Sequence, residues 1–254
     1  MKDAVGNEAE VGMERHLLQI IGTIRSCYKE KFGIPRQAGL TPSARAELEL
    51  AGPFARPEIV RGLEEFSHLW LVFLFHEAVS EGWQWTVRPP RLGGRRRLGV
   101  FATRSPHRPN HIGLSAVRLL GIETGGGGVT LKLGGVDLLD GTPVLDVKPY
   151  LPYSDRLGEA TSGWADADRA EIPVIFTPTA ASCAAAYRQR TGRTLLPLIE
   201  EVLRQDPRPA SQRGRRTRFA MTLWDVTIRW QVTKTCFLVD CCEWLEEREE
   251  PVSG

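Results

Sequence analysis

Short patterns of apolar and polar residues dominate the first 150 residues of the chain. Val129, Leu131 and Leu133 alternate with polar neighbours, which predicts a strand with one buried face. Residues 69–75 are apolar at every position and too few for a typical helix, which predicts a strand buried on both faces. Further strands are predicted at 17–24, 47–50, 83–87, 98–103, 112–122 and 144–147, with one short helix at 57–66. Many short strands separated by turns indicate a barrel or a sandwich.

The last third of the chain mixes helical and strand patterns. Helices are predicted at 181–190 and 195–204, and the second has one apolar stripe that indicates a core face. A strand at 172–176 precedes them, and a terminal hairpin with arms at 219–232 and 236–244 follows. The predicted fold class is therefore mainly β with some α. We expect a disordered leader at 1–15, a β domain at 16–155, a linker at 156–170 and a small α+β C-terminal domain at 171–254.

Overall charge says little about partners, because 33 Lys and Arg nearly balance 31 Asp and Glu and leave a net charge of +2. Most of the positive charge is Arg, which suits bidentate phosphate contacts but is expected equally from a GC-rich genome. The first 14 residues are polar and acidic, and the longest apolar run, 69–75, is too short to span a bilayer. We therefore expect a cytoplasmic protein with no membrane partner.

Five cysteines stand at irregular spacings without a CxxC pair, so neither a disulfide framework nor a cysteine metal site is predicted. We interpret them as small buried apolar residues in a reducing compartment. His68 and His76 flank the apolar run, but no second group of ligands stands at metal spacing. No metal cofactor is expected.

Three segments combine glycine, proline and charge: residues 35–37, 88–114 and 136–150. Polar loops at strand ends are where binding sites are commonly built. Glycine and proline also make ordinary turns, so composition leaves both interpretations open. The density of Arg and Asp beside apolar strands favours a site.

Six strings within and beside these segments are distinctive: Phe-Ser-His-Leu-Trp at 66–70, Arg-Pro-Pro-Arg-Leu-Gly-Gly at 88–94, Gly-Val-Phe-Ala-Thr-Arg-Ser at 99–105, Arg-Pro-Asn at 108–110 with Ile-Gly at 112–113, Asp-Leu-Leu-Asp-Gly-Thr-Pro at 137–143 and Lys-Pro-Tyr at 148–150. They resemble the TsaA-like family, whose characterised members are the TrmO tRNA methyltransferases. The resemblance covers roughly residues 17–155, and Asp-Pro-Arg-Pro at 206–209 and Trp-Asp-Val at 224–226 resemble the family's C-terminal domain. One departure is His111, which stands where the family usually has proline.

The resemblance implies a β-barrel methyltransferase domain outside the Rossmann-like class, acting as a homodimer. It implies that S-adenosylmethionine serves to methylate the exocyclic amino nitrogen of threonylcarbamoyl-adenosine at tRNA position 37, next to the anticodon. It places cofactor contacts on Pro35, Arg36, Gln37, His76, Glu77, Arg104, Leu114, Asp137, Leu138, Leu139 and Asp140.

The chemistry of the cofactor suits these residue types. Its carboxylate matches the guanidinium fork of Arg36 or Arg104, and its adenine matches an apolar surface such as Leu114 and Leu138. Its sulfonium cation tolerates a neighbouring carboxylate, Asp137 or Asp140. Leu114 as plain core and the two aspartates as turn formers remain alternatives.

On the substrate side, the target nitrogen belongs to a urea-like group. It is a weak nucleophile with an acidic N–H, so catalysis requires positioning and proton removal. Asp140, Asn110 and Lys148 are the candidate catalytic residues. A lysine base needs a strongly lowered pKa.

Two arginine clusters are the candidate RNA-binding residues. The first, Arg88, Arg91, Arg95, Arg96 and Arg97, is interrupted by Pro89-Pro90 and Gly93-Gly94 and cannot be a regular helix. The second comprises Arg208, Arg213, Arg215, Arg216 and Arg218. One cluster alone is equally typical of a solubilising surface, but two in a nearly neutral chain favour tRNA contact. The rival hypothesis is a module that binds S-adenosylmethionine or RNA without turnover, which the His111 departure favours.

Overall fold

Six antiparallel strands of the N-terminal part close into a barrel. The computed structural model describes residues 16–94, 96–165, 172–209 and 212–245. The barrel strands are β1 (Gly22–Ser26), β2 (Arg45–Leu50), β3 (His68–Leu74), β6 (Ile112–Gly125), β7 (Gly128–Gly134) and β8 (Pro143–Pro149). They are hydrogen-bonded in the order β1-β2-β7-β6-β3-β8. Two further short strands, β4 (Thr86–Val87) and β5 (Leu98–Gly99), form a separate hairpin. The prediction of a mainly β fold with an N-terminal barrel is confirmed.

The barrel core is filled from alternate positions of each strand. In β3, Leu69, Leu71 and Phe73 are buried, whereas Trp70 and Val72 between them are half-buried. The prediction that this strand is buried on both faces is therefore wrong for one face. Trp70 and Val72 line a cavity on that face. The continuous apolar run thus serves a core on one side and a cavity wall on the other.

The C-terminal part is a four-stranded sheet covered by helices. Its strands are β9 (Val174–Phe176), β10 (Arg218–Leu223), β11 (Val226–Val232) and β12 (Phe237–Trp244), in the order β10-β11-β12-β9. The helices are α3 (Pro178–Thr191) and α4 (Leu196–Arg204), which follow α1 (His76–Val79) and α2 (Pro152–Asp155) of the first part. The apolar stripe of α4 is buried, as predicted: Leu198, Ile199, Val202 and Leu203.

Polar and aromatic contacts join the two parts. The Glu201 carboxylate accepts hydrogen bonds from the Ser43 backbone N–H at 2.7 Å and the Ser43 hydroxyl at 2.9 Å. Phe32, from the loop after β1, stacks with Trp230 of the C-terminal sheet at a ring-centroid distance of 5.8 Å. One hydrophobic cluster runs through both parts, so the sheet supports the loops that follow β1.

Several predicted boundaries differ from the structure for local reasons. The helix predicted at 57–66 is two short 3-10 segments, Pro57–Val60 and Leu63–Glu65, because Gly62 between them is left-handed at φ 82°. The strand predicted at 98–103 stops after β5 and becomes a 3-10 turn, Val100–Ala102. Other 3-10 segments are Gly52–Phe54, Pro90–Leu92 and Gly163–Ala165.

The arm predicted at 219–232 is two strands, because the chain reverses at Trp224, where φ is 56°. Residues 17–20 are exposed, and the first strand begins at Gly22. In the predicted linker, the Trp164 indole N–H donates to the Ala102 carbonyl at 3.0 Å, so this segment contacts the barrel domain. The predicted leader at 1–15 lies outside the described residues.

All five cysteines are free, and Cys27, Cys236 and Cys242 are buried. Burial raises the pKa of the Cys27 thiol to about 11, so this side chain acts as a small apolar residue, as predicted. In the part of the chain that the structure describes, no helix combines the length and apolar character needed to cross a membrane.

Candidate functional site

A cavity of about 1040 Å³ lies against the outward face of β3. Its walls come from the 34–37 loop, β3 with α1, the 101–110 loop, the start of β6 and the 137–142 loop. These segments are far apart in sequence and meet because β3 is paired with both β6 and β8 in the barrel. The volume is at the upper end of the range for small-molecule sites.

Ten of the eleven predicted cofactor residues line this cavity, together with Asn110. Leu114 is 52% exposed, so its alternative interpretation as plain core is wrong. The lining set is Pro35, Arg36, Gln37, His76, Glu77, Arg104, Leu114, Asp137, Leu138 and Leu139. Meeting at one cavity is what a shared ligand requires, while the individual roles remain predictions.

Asp140 and Lys148 do not line the cavity within this chain. Asp140 accepts a hydrogen bond from the Ser26 backbone N–H at 2.7 Å and pairs with Lys29 at 2.8 Å, which holds its loop to the end of β1. Lys148 is exposed on β8 and pairs with Asp146 at 2.9 Å. Neither position supports the predicted catalytic role, nor does it support a cofactor contact for Asp140.

Asp137 lines the cavity and is more buried than Glu77 and Glu81, the other two carboxylates of its lining. Burial raises the pKa of its carboxyl, and a hydrogen bond from the Ser115 hydroxyl at 2.7 Å opposes that rise. The backbone N–H groups of Asp137 and Ala38 and the charge of Arg104 oppose it further. The structure thus places an enclosed carboxylate, already oriented by donors, where a cation can lie.

Arg104 connects two walls of the cavity. Its guanidinium donates to the Gln37 side-chain oxygen, and the Gln37 amide nitrogen donates to the Arg36 carbonyl. Arg104 is itself exposed, so its remaining donors can reach an anion at the cavity mouth. On the α1 side, Glu77 pairs with Lys31 at 3.6 Å.

The 105–111 loop carries Asn110 and is closed by His111. The His111 backbone is left-handed at φ 50°, its N–H donates to the Arg108 carbonyl at 3.0 Å, and its ring Nδ1 lies 2.8 Å from the Pro106 oxygen. A proline has φ near −65° and no N–H, so it cannot adopt this conformation. The histidine therefore fits a loop shape that the family's usual proline does not.

The sequence did not indicate several further lining residues, most of which are apolar or aromatic. They are Trp70, Val72, Phe73, Phe75, Phe101, His107 and Arg108. The apolar run at 69–75 was the available signal, because a second apolar face with no core partner indicates a ligand surface.

The first arginine cluster lies at the tip of the β4–β5 hairpin. Arg88, Arg96 and Arg97 are exposed, and Arg97 donates to the Thr86 hydroxyl at 3.0 Å. Arg95 and the side chain of Arg91 lie outside the described part. The loop is not a regular helix, since one 3-10 turn is followed by Gly93 and Gly94 at positive φ.

In the second cluster, Arg208 is a structural residue. Its side chain is 10% exposed, makes a double hydrogen bond to Asp206 at 2.7 and 3.0 Å, and lies over the Phe237 ring. Its charge is already paired within the chain, so the structure does not favour the predicted RNA contact of Arg208, which stays a prediction. Exposed arginines remain around it: Arg213, Arg215, Arg216 and Arg218.

Among the described residues, no group of three or more His, Cys, Asp and Glu side chains is arranged to hold a metal ion.

Comparison with known proteins accounts for most of the chain. Residues 23–156 match the tRNA-methyltransferase O N-terminal domain, and residues 169–243 match the TrmO C-terminal domain. A protein of Escherichia coli strain K12 named tRNA (adenine(37)-N6)-methyltransferase is 50% identical over 226 residues, which span 88% of this chain and 96% of that protein.

Two proteins of Pseudomonas aeruginosa extend the comparison. A putative S-adenosylmethionine-dependent methyltransferase, RcsF, is 52% identical over 85% of this chain and 92% of its own length. A crystal structure of TrmO superimposes with a TM-score of 0.75 at 44% identity, covering 90% of this chain and 98% of that one. With both domains matched in order, the chain belongs to the TrmO family of tRNA methyltransferases.

Proposed function

We propose that this protein uses S-adenosylmethionine to methylate the exocyclic N6 of adenosine 37 in tRNA, and that the target carries the threonylcarbamoyl group. The observation that supports the proposal most is the meeting of Arg104, Asp137 and Leu138 at one cavity. We further propose that residues 16–155 hold the cofactor and that residues 171–254 support the cavity loops and contact RNA.

The donor set of the cavity fits the cofactor. When bound, S-adenosylmethionine supplies an electrophilic methyl group on a sulfonium. Arg36 and Arg104 offer guanidinium donors for its carboxylate, and Leu114 and Leu138 offer an apolar surface for its adenine. The Asp137 carboxylate balances the positive charge. A cation, an anion and an apolar group each have a complementary partner in one cavity.

Asn110 is the predicted substrate residue that remains at the cavity. Its amide can donate to and accept from the carbamoyl group of the target base. With Asp140 and Lys148 away from the cavity, we assign Asn110 to holding the target nitrogen in line with the methyl group.

Cofactor binding should depend on pH through Asp137. Because its pKa is raised, the fraction of carboxylate increases as pH rises through a range above that of an ordinary aspartate. A cationic ligand binds the ionised form better, so we expect affinity for S-adenosylmethionine to increase with pH and then level off. The Asp137→Asn variant should lack this dependence while binding more weakly at neutral pH. Calorimetry of both proteins between pH 4 and 8 checks this; parallel curves would contradict it.

Turnover separates the enzyme from a binding module. Incubation with methyl-labelled S-adenosylmethionine and tRNA should place the label on the adenosine at position 37. The same tRNA made without the threonylcarbamoyl group is the control substrate, and it should accept far less label. No label in either tRNA would favour the binding module, and equal label in both would overturn the proposed modification requirement.

The β4–β5 hairpin tip is the proposed phosphate-binding surface. Each phosphate neutralised in a single-stranded loop adds about 0.7 to the slope of log affinity against log salt. Replacing Arg95, Arg96 and Arg97 together by Ala should therefore flatten that slope by up to about 2, with little effect on cofactor affinity. Filter-binding assays of tRNA over a series of salt concentrations measure this slope. Arg25→Ala with Arg56→Ala and Arg61→Ala is the matched control, three exposed arginines outside the cavity; equal slopes in both triple variants would sink the assignment.

We also propose a twofold-symmetric homodimer in the cytoplasm, where tRNA is used. A barrel whose site lies on loops gains a closed pocket from a second copy. Light scattering at micromolar concentration should give about twice the chain mass. A fully active monomer would contradict this proposal.

A further inference from the structure

Three large aromatic side chains are exposed at the base of the β4–β5 hairpin. Trp83 is 42% exposed, Trp85 is 68% exposed and Phe101 is 80% exposed. The two indole rings are in edge contact, with centroids 4.5 Å apart. Phe101 also lines the cavity, so the aromatic group extends outward from the cavity rim.

Backbone hydrogen bonds fix this group beside the cavity. The Val100 N–H donates to the Trp85 carbonyl at 3.0 Å, directly below the Thr86–Gly99 pair of the hairpin. The Gln84 N–H donates to the His107 carbonyl at 3.0 Å, which ties the tryptophan segment to the loop that carries Asn110. The aromatic positions are therefore set by the same backbone that shapes the cavity.

The hairpin thus has aromatic rings at its base and arginines at its tip. Large apolar side chains that remain exposed close together beside a cavity indicate a binding surface. Proteins that bind single-stranded nucleic acid combine aromatic rings, on which bases stack, with cationic groups that follow the phosphates. The exposed Arg88, Arg96 and Arg97 on the same hairpin favour RNA over a second protein surface as the occupant.

We infer that Trp83, Trp85 and Phe101 form a stacking platform for the unpaired bases that flank the target adenosine, while the target itself enters the cavity. The inference rests on the proposed function. Unpaired anticodon-loop bases can unstack at low cost, and a ring beside the cavity gives them a new partner. The platform would also fix which nucleotide of the loop lies opposite Asn110.

The test is binding of a synthetic anticodon stem-loop to the full chain. Trp85→Ala should weaken binding roughly 5- to 100-fold, while affinity for S-adenosylmethionine is unchanged. Trp85→Phe should retain most of the affinity, and Trp85→Leu, which keeps apolar area without a ring system, should not. Tyr153→Ala is the matched control, because Tyr153 is 87% exposed and follows β8, which ends beside the start of β3, away from α1.

A second RNA, with abasic sites beside the target adenosine, completes a double-mutant cycle. If base and ring stack, the abasic RNA loses affinity for the parent protein but loses little more with Trp85→Ala. If the losses of binding free energy from the abasic RNA and from Trp85→Ala add fully, ring and base do not interact and the inference is overturned. A second outcome would also overturn it: Trp85→Ala is monomeric, while Trp85→Leu recovers both the dimer mass and the RNA affinity. The surface would then be a contact between two copies of the chain. If the parent protein binds no stem-loop at all, the proposed function itself fails, and the parent alone is enough to show this.

Discussion

Replacing Arg104 with alanine is expected to weaken S-adenosylmethionine binding by about 1.5–3 kcal/mol, or roughly 10- to 150-fold. Arg104 lines the cavity, is exposed and is held by the Gln37 side-chain oxygen, so its remaining donors are available to a carboxylate in the cavity. Titration calorimetry on the folded variant measures the loss directly. Because the side chain is exposed, the unfolding midpoint should stay close to that of the parent.

Two further variants sharpen this prediction. Arg104→Lys keeps the charge but loses the planar fork, and should recover only part of the affinity. Arg25→Ala is the matched control, since Arg25 is also an exposed arginine but pairs with Glu49 on the barrel wall. Unchanged affinity in a folded Arg104→Ala protein would remove Arg104 from the cofactor site. A loss of the same size in Arg25→Ala would show a nonspecific effect of charge.

Much of the fold follows from local patterns. Strand periodicity identified β7, and the helical stripe identified α4, because each buries one face against a core. The Gly-Gly pair at 126–127 has positive φ at both positions, which suits a two-residue hairpin between β6 and β7. Element boundaries were predicted less accurately where a single residue with positive φ, such as Gly62 or Trp224, changes the direction of the chain.

The site was predictable only where residue type and motif agreed. Arg104 and Asp137 meet at one cavity although 33 positions separate them, and only the barrel pairing brings their loops together. Asp140 and Arg208 illustrate the opposite case, because the folded chain gives both side chains partners that the sequence did not indicate. The sequence around a charged residue does not show which partner it will have in the fold. Here Lys29 pairs with Asp140, and Asp206 pairs with Arg208. Burial and pairing are properties of the folded chain.

The second large effect is expected at Gly113, where β6 crosses the floor of the cavity. Gly113 pairs with Phe73 of β3, and the Phe73 ring lies directly over the glycine. A Cβ placed on Gly113 would stand 2.3 to 2.9 Å from three ring atoms, closer than any normal contact. The ring packs edge-on against Phe75 on one side and lines the cavity, so it can yield to a new methyl group only by disturbing that contact or by moving into the cavity.

We therefore expect Gly113→Ala to destabilise the protein by about 1–3 kcal/mol through overpacking, and to weaken cofactor binding because the displaced ring shifts the cavity floor. Gly121→Ala is the matched control, because Gly121 lies in the same strand, has no atom within 4 Å of an added Cβ and has no positive φ. Urea unfolding of the two variants gives the comparison, and Gly113→Ala combined with Phe73→Leu should recover part of the stability if the ring is the obstacle. Equal unfolding midpoints for Gly113→Ala and Gly121→Ala would show that the ring yields freely. A double variant less stable than Gly113→Ala alone would mean that Phe73 contributes more to the core than its clash with the new methyl group costs.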